Sequence, residues 1–152
     1  MQRPHPPILL GGGGKRLLSF AAREADIIGI LARSMPAGDG LDRADESEAH
    51  VAEKVEWIRE AAGDRFERLE LGMLIWAVEI TDDRRSGAER IAVRTQRPVE
   101  HILDSPYYLI GTVDAIGETL LSLRERHHVT HFTIFESDTA AFAPVVARLA
   151  GR

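Results

Sequence analysis

Ile8-Leu9-Leu10-Gly11-Gly12-Gly13-Gly14-Lys15-Arg16-Leu17-Leu18 is the stretch whose reading decides the fold. Ile8 to Leu10 is a short apolar run bounded by breakers and reads as a buried strand. Four glycines end it, and Lys15 to Ala25 reads as a helix with Leu17, Leu18, Ala21, Ala22 and Ala25 on one broad face. Pro4, Pro6 and Pro7 hold the entry extended, because proline fixes φ and disfavours helix in the residue before it.

Further strands and helices alternate outward from this unit. Asp26 to Leu31 reads as a second buried strand, and its near-continuous apolar run suits a parallel sheet covered on both faces. Ala32 to Asp45, rich in Gly, Pro, Asp and Ser, reads as a long loop. Asp45 with Glu48 resembles a capping box, opening a helix with Val51, Val55, Ile58 and Ala62 on one side and Gly63 at its end. Leu69 to Ile80, the longest apolar run, reads as one strand closed by Thr81-Asp82-Asp83. Helices follow over about Ser86 to Thr95 and near Val99 to Leu103, and Pro106 to Gly111 reads as a connecting segment. Thr112 caps a helix with Val113, Ile116, Leu120 and Leu123 inward. His131 to Phe135 reads as the fourth strand. Ser137 or Asp138 caps a last helix with Phe142, Val145, Val146 and Leu149 inward and Gly151 past its end. Four strands separated by helices imply an α/β fold with parallel pairing and right-handed crossovers. The length suits one domain spanning 1–152.

Composition excludes several function classes. The chain has no cysteine, so disulfides, thiolate metal sites and a cysteine nucleophile are ruled out. Its net charge is -5, with acidic and basic residues interleaved, unlike the dense basic face of a nucleic-acid binder. No stretch supplies the roughly 20 apolar residues of a membrane span. Met1 to Pro7 lacks the apolar core and small-residue cleavage site of a signal peptide. A cytoplasmic protein is the default expectation.

Ligands of parallel α/β proteins bind at the carboxyl ends of the strands. Four such ends are visible: Gly11 to Arg16, Ile30 to Ser34, Val78 to Asp82, and Glu136 to Asp138. The first is the most informative. Glycines between a strand and a helix let the backbone turn sharply and approach a ligand, and the amides and dipole of the helix start favour an anion. Lys15 and Arg16 add positive charge there. Gly11, Gly12, Gly13, Gly14, Lys15 and Arg16 are therefore the candidate phosphate or phosphodiester site; the bland alternative is a tight turn without a ligand. Two better-known glycine motifs fail on spacing. The nucleotide-binding loop needs Ser or Thr after Gly-Lys, where Arg16 stands, and the dinucleotide fingerprint needs a glycine at Arg16 or Leu17.

Other candidates are weaker. His127, His128 and His131 flank a helix end with no carboxylate expected beside them, and a solvated helix terminus is the preferred reading. No metal site is expected. Glu136 and Asp138 suit an acid/base pair, but helix capping by Asp138 is the simpler reading. Arg84 and Arg85 read as a solvated first-turn pair, and Trp57 and Trp76 as packing residues.

Beyond these physical readings, several segments in order are familiar. They are Pro6 to Leu18 with its glycine turn, Ala21-Ala22-Arg23-Glu24-Ala25-Asp26-Ile27-Ile28-Gly29, Lys54 to Arg59 with Ala62 to Phe66, Ser105-Pro106 with Leu109 to Asp114, and Phe142 to Gly151. Together they resemble the luciferase-like monooxygenase superfamily, most closely its branch of oxidoreductases using the deazaflavin coenzyme F-420. The resemblance implies a (β/α)8 barrel in which the glycine segment after the fifth strand binds the phosphate of F-420 or, alternatively, FMN. It implies hydride transfer or flavin-dependent oxygenation. Such barrels take about 250 residues and eight strands, whereas four strands are read here, matching the fifth to the eighth. The implied fold is thus a partial barrel, the C-terminal half of the family's domain. The catalytic residues of the early strands have no counterpart to name. Two further expectations follow: a partner half-barrel, either the chain's own copy or an N-terminal fragment, completes the enzyme; or the chain is a non-catalytic phosphate-ligand-binding or dimerising half-barrel, or an inactive gene remnant.

Overall fold

The first reversal of the chain is at the glycines. In the computed structural model, which describes residues 5–38 and 40–151, β1 (Leu9–Gly12) runs into them and α1 (Lys15–Glu24) leads out. Pro4 of the extended entry, and Met1 to Arg3 before it, lie outside the described residues. β2 (Ile27–Ile30) pairs parallel with β1, and the Asp26 carboxylate accepts from the Ile8 N–H at 2.8 Å to fix the start of the ladder.

The loop after β2 carries a short 3-10 turn at Arg43–Glu46 before α2 (Glu48–Ala62). The expected capping box at Asp45 is not there. Ser47 caps α2, its Oγ accepting from the His50 N–H at 3.4 Å. Asp45 is wholly buried instead, because Lys54 and Arg33 take up its carboxylate.

The run from Leu69 to Ile80 is two strands in two sheets rather than one strand. β3 (Glu70–Leu74) joins β2, while β4 (Ala77–Ile80) leaves for another partner. The handover falls between neighbours: Ile75 N–H donates to Thr133 O at 2.8 Å and Trp76 N–H donates to Tyr107 O at 2.8 Å. No Gly or Pro marks the break, so only the choice of partner reveals it. That partner is β5 (Tyr108–Gly111), which lies within the segment expected to be a mere connection. Between them come α3 (Arg84–Thr95) and α4 (Val99–Asp104). After β5, α5 (Val113–His127) leads to β6 (Val129–Thr133), and α6 (Thr139–Leu149) is the last element among the described residues.

The main sheet has the order β1-β2-β3-β6, all parallel, and β4-β5 form a second parallel pair. The expected α/β architecture is present, as an open sheet that does not close into a barrel. Strand alternation sends Ile28, Ile30, Leu71 and Met73 to the helix-covered side, where each is at most 2% exposed and each stabilises the fold by about 1.5–3 kcal/mol. The opposite side differs from the expectation of a sheet covered on both faces. Leu9 is 57% exposed there, and a 240 Å³ trough lined by Leu9, Ile27, Leu31 and Leu74 lies open. Its floor is a row of residues in register, Gly11, Gly29, Gly72 and His131, so three of the four strands offer no side chain at that level.

Three smaller readings also change. Leu17 and Val146, expected inward, are 42% and 56% exposed. Asp138 does not cap α6; its Oδ2 accepts from the Val78 N–H at 3.2 Å and ties β4 to the turn after β6. His127 does have a carboxylate beside it: its Nε2 lies 3.0 Å from Glu48 Oε1, which Arg126 also contacts.

Candidate functional site

The four strand ends separate into two pairs. Those of β1 and β2 meet: a side chain at Gly13 would come within 2.4 Å of the Ala32 carbonyl and the Arg33 nitrogen. Only glycine permits that approach, because the obstacle is backbone and cannot rotate away. At Gly12 an added Cβ would meet Leu17 Cδ2 at 2.4 Å, the far end of a half-exposed side chain that can turn aside. Gly13 therefore has a packing reason of its own.

Gly14 does not. It is the N-cap of α1 with ordinary extended backbone (φ -93°, ψ 144°), it makes no side-chain capping bond, and an added Cβ would meet nothing within 4 Å. α2, α3 and α5 are each capped by a side chain, from Ser47, Asp83 and Thr112, whereas α4 and α6, like α1, are not. Helix starts leave their first amides without intrahelical partners. At α1 no side chain caps those amides, and the glycines before them line an open cavity at the positive end of the helix dipole.

The two charges expected to help are placed differently from each other. Lys15 leans over the Trp57 ring at 5.7 Å and lies 3.7 Å from Glu60, toward α2. Arg16 is exposed and free of ion pairs among the described residues.

What surrounds the turn comes from the loop after β2. The glycines, Ala32, Arg33, Ser34 and Leu41 enclose a 480 Å³ cavity. A second cavity of 530 Å³ shares Leu41 and continues past Asp42 and Arg43 to Arg97. A buried polar cluster holds this loop in shape. Lys54 Nζ lies 2.6 Å from Asp45 Oδ2 and donates to Asp45 O at 3.0 Å, and Arg33 Nη2 lies 2.9 Å from Asp45 Oδ1. Next to it, wholly buried Glu46 meets Arg97 Nη1 at 2.7 Å and His101 Nε2 at 2.9 Å, while Ser105 Oγ donates to Glu46 O at 2.8 Å. Buried charges persist only when paired in this way.

Tyr107 is wholly buried next to this cluster. Its hydroxyl donates to Ile30 O at 3.3 Å, its ring lies 6.1 Å from Trp76, and Trp76 lies 6.3 Å from Phe135. Burial, with the Asp45 and Glu46 charges nearby, pushes the Tyr107 hydroxyl far above its ordinary range. Burial likewise raises Tyr108 to about 12. Neither is a base near neutral pH. The second pair of strand ends is joined by the Asp138–Val78 bond, so Asp138 serves the scaffold. Arg84 and Arg85 do open α3, but they are engaged: Arg84 Nη2 donates to Leu103 O at 2.7 Å, and Arg85 pairs with Glu100 at 2.8 Å.

Sequence reading marked the β2 end as a strand terminus without singling out Arg33, Ser34 or Leu41, and it missed Arg43, Arg97 and the Asp45–Lys54 pair. A signal existed for the last. Lys54 sits among Val51, Val55 and Ile58 on the inward side of α2, where a lysine needs a buried partner. No local signal links Arg97 to this loop.

No protein-family profile and no curated protein matches the chain. Solved structures do match. A long-chain alkane monooxygenase aligns over 95% of this chain and 41% of its own, with a TM-score of 0.62 and 14% identity. A riboflavin lyase, solved with modified FMN and riboflavin, aligns over 95% and 42%, with a TM-score of 0.63 and 13% identity. An F-420-dependent secondary alcohol dehydrogenase, in complex with an F-420–acetone adduct, aligns over 87% and 43%, with a TM-score of 0.56 and 15% identity.

The chain shares their fold.

It spans about two fifths of the length of each. The likeness agrees with the parallel α/β architecture implied by the luciferase-like resemblance. Among the described residues no helix is long and apolar enough to cross a membrane, and no group of three metal-ligating side chains is gathered.

Proposed function

We propose that this chain is the coenzyme-phosphate half of a luciferase-like oxidoreductase, corresponding to strands five to eight of the barrel, and that Gly11 to Gly14 with the start of α1 receive the phosphate of F-420 or FMN. The observation that carries the reading is the uncapped start of α1 at Gly14, open to solvent and backed by Arg16. An anion there satisfies the free amides and the helix dipole together. Gly13 lets the loop after β2 come close enough to wall the site. A bound coenzyme supplies hydride transfer or flavin-dependent oxygenation; the residues of this chain hold its phosphate and shape the cavity beside it.

The open face of the main sheet supports the second part of the proposal, a partner. Parallel sheets are covered on both faces, yet Leu9, Ile27 and Leu74 line an open trough. The structural neighbours are more than twice as long as the aligned region. The proposed cover is a complementary N-terminal half-barrel, with the chain's own copy as the alternative that a solution mass distinguishes.

The test is a fluorescence titration with F-420 and with FMN, on the chain alone and mixed with a candidate N-terminal half. The control is Gly14→Asp, which places a carboxylate at the N-cap. An extended φ accepts aspartate, and Asp is a good capping residue, so folding persists while coenzyme binding falls about ten-fold or more. No binding of either coenzyme by the native sequence, in either setting, overturns the proposal.

A further inference from the structure

The two cavities beside the loop after β2 are similar in volume, 480 Å³ at the glycine turn and 530 Å³ beyond Leu41, and the second has Arg43 and Arg97 in its wall. Arg97 is anchored from behind by buried Glu46 at 2.7 Å. Arg43, on the 3-10 turn, is exposed and makes no ion pair or hydrogen bond among the described residues. Asp42 also lines this cavity, but its Oδ1 accepts from the Ala44 N–H at 3.1 Å to cap the turn. Arg43 and Arg97 thus line an open cavity that shares Leu41 with the cavity at the glycine turn.

From this juxtaposition we infer that the Arg43–Arg97 cavity is a second anion subsite, receiving a carboxylate or phosphate that the ligand carries beyond the phosphate bound at the glycine turn. The inference rests on the proposed function and narrows its ligand to one that continues past its first phosphate. Guanidinium groups suit carboxylates and phosphates because their planar donors match both. Glu46 matters here by holding Arg97 in place: an arginine anchored by a buried carboxylate loses little freedom on meeting a ligand.

Three probes separate the possibilities. FMN ends at its phosphate monoester, FAD continues to a second phosphate, and F-420 continues to carboxylates. Dissociation constants are measured by fluorescence for the native sequence and for Arg43→Glu, with thermal unfolding confirming that the variant folds. The expected result is that Arg43→Glu leaves FMN binding within two-fold and weakens F-420, FAD or both by about five- to ten-fold, the scale of one exposed charge contact reversed. That selective loss also shrinks as salt rises. Which of F-420 and FAD responds tells carboxylate from phosphate. Equal loss for all three probes, or no loss for any, overturns the inference while leaving the proposed function standing. Failure of the native sequence to bind any of the three removes the proposed function, and the subsite with it.

Discussion

Replacing Lys54 with methionine tests how the loop beside the glycine turn is held. Lys54 is wholly buried, its Nζ 2.6 Å from Asp45 Oδ2 and 3.0 Å from Asp45 O. Methionine preserves most of the stem volume, so little cavity forms. The loss is electrostatic: Asp45 remains buried with one cation fewer. Removing one partner of a buried pair costs about 3–5 kcal/mol. Asp45 keeps Arg33, whose guanidinium lies 2.9 Å away and whose N–H donates at 2.7 Å, so the lower end, about 3 kcal/mol, applies. For a domain of this size that corresponds to a fall in Tm of roughly 6–12 °C. The assay is urea unfolding of the native chain, Lys54→Met, Asp45→Asn and the double variant. In the double variant no charge is stranded, so the costs do not add, and the coupling is about 2 kcal/mol. Because Asp45 holds Arg33 and Lys54 together, the proposed coenzyme binding is expected to weaken with the single variant even where folding persists. A cost below about 1 kcal/mol for Lys54→Met, or simple additivity with Asp45→Asn, refutes the claim that this pair sets the loop.

Further predictions concern the glycines and the tyrosines. Gly13→Ala sets a Cβ against the Ala32–Arg33 backbone at 2.4 Å and destabilises by more than about 2 kcal/mol, whereas Gly14→Ala meets nothing within 4 Å and leaves stability nearly unchanged. Denaturant midpoints decide between them. Tyr108 has a buried hydroxyl without a partner, so Tyr108→Phe is neutral or stabilising near pH 7, by up to about 1 kcal/mol, while Tyr107→Phe gives up its bond to Ile30 O and destabilises. Both hydroxyls stay protonated in the folded state above pH 10, where unfolded tyrosines ionise. Their contribution is therefore complete below about pH 10 and is lost as pH rises toward about 12, the folded value for Tyr108. Unfolding midpoints measured from pH 8 to 11.5 should fall with pH, less steeply in Tyr108→Phe. Asp83 works in the opposite direction. Bonds from the Ser86 side chain and backbone lower its titration, so its contribution is present above the ordinary carboxylate range and is lost as pH falls through the lowered value. Asp83→Ala should remove that part of the acid dependence.

Most of the fold was legible because its signals are local. The Ile8–Leu10 run, the glycines and the Lys15–Ala25 periodicity specify strand, turn and helix with no help from distant residues. The cap at Thr112 acts within three residues of itself. The candidate phosphate corner was legible for the same reason: a helix start with no capping side chain is a property of five or six consecutive residues. The capping of α2 was misread because Asp45 had a stronger, more distant use. Its carboxylate is bound to Lys54, nine residues on, and the helix start passed to Ser47.

Long-range competition settled the remainder. Leu71 to Val78 carries no charged residue, and nothing in it states that Ile75 bonds to β6 while Trp76 bonds to the segment before β5. A strand is defined by its partner, and Tyr108 to Gly111 became one only because β4 lay beside it. Arg43 and Arg97 are 54 positions apart (97 minus 43), and they share a cavity because buried Glu46 draws Arg97 to the loop after β2. By itself, then, the sequence determined the parallel α/β pattern and the glycine turn between β1 and α1, through short-range sterics and hydrophobic periodicity. Only the tertiary structure decided how that turn is walled, which charges face it and which side of the sheet stands open, since those depend on where buried charges and strand edges find partners.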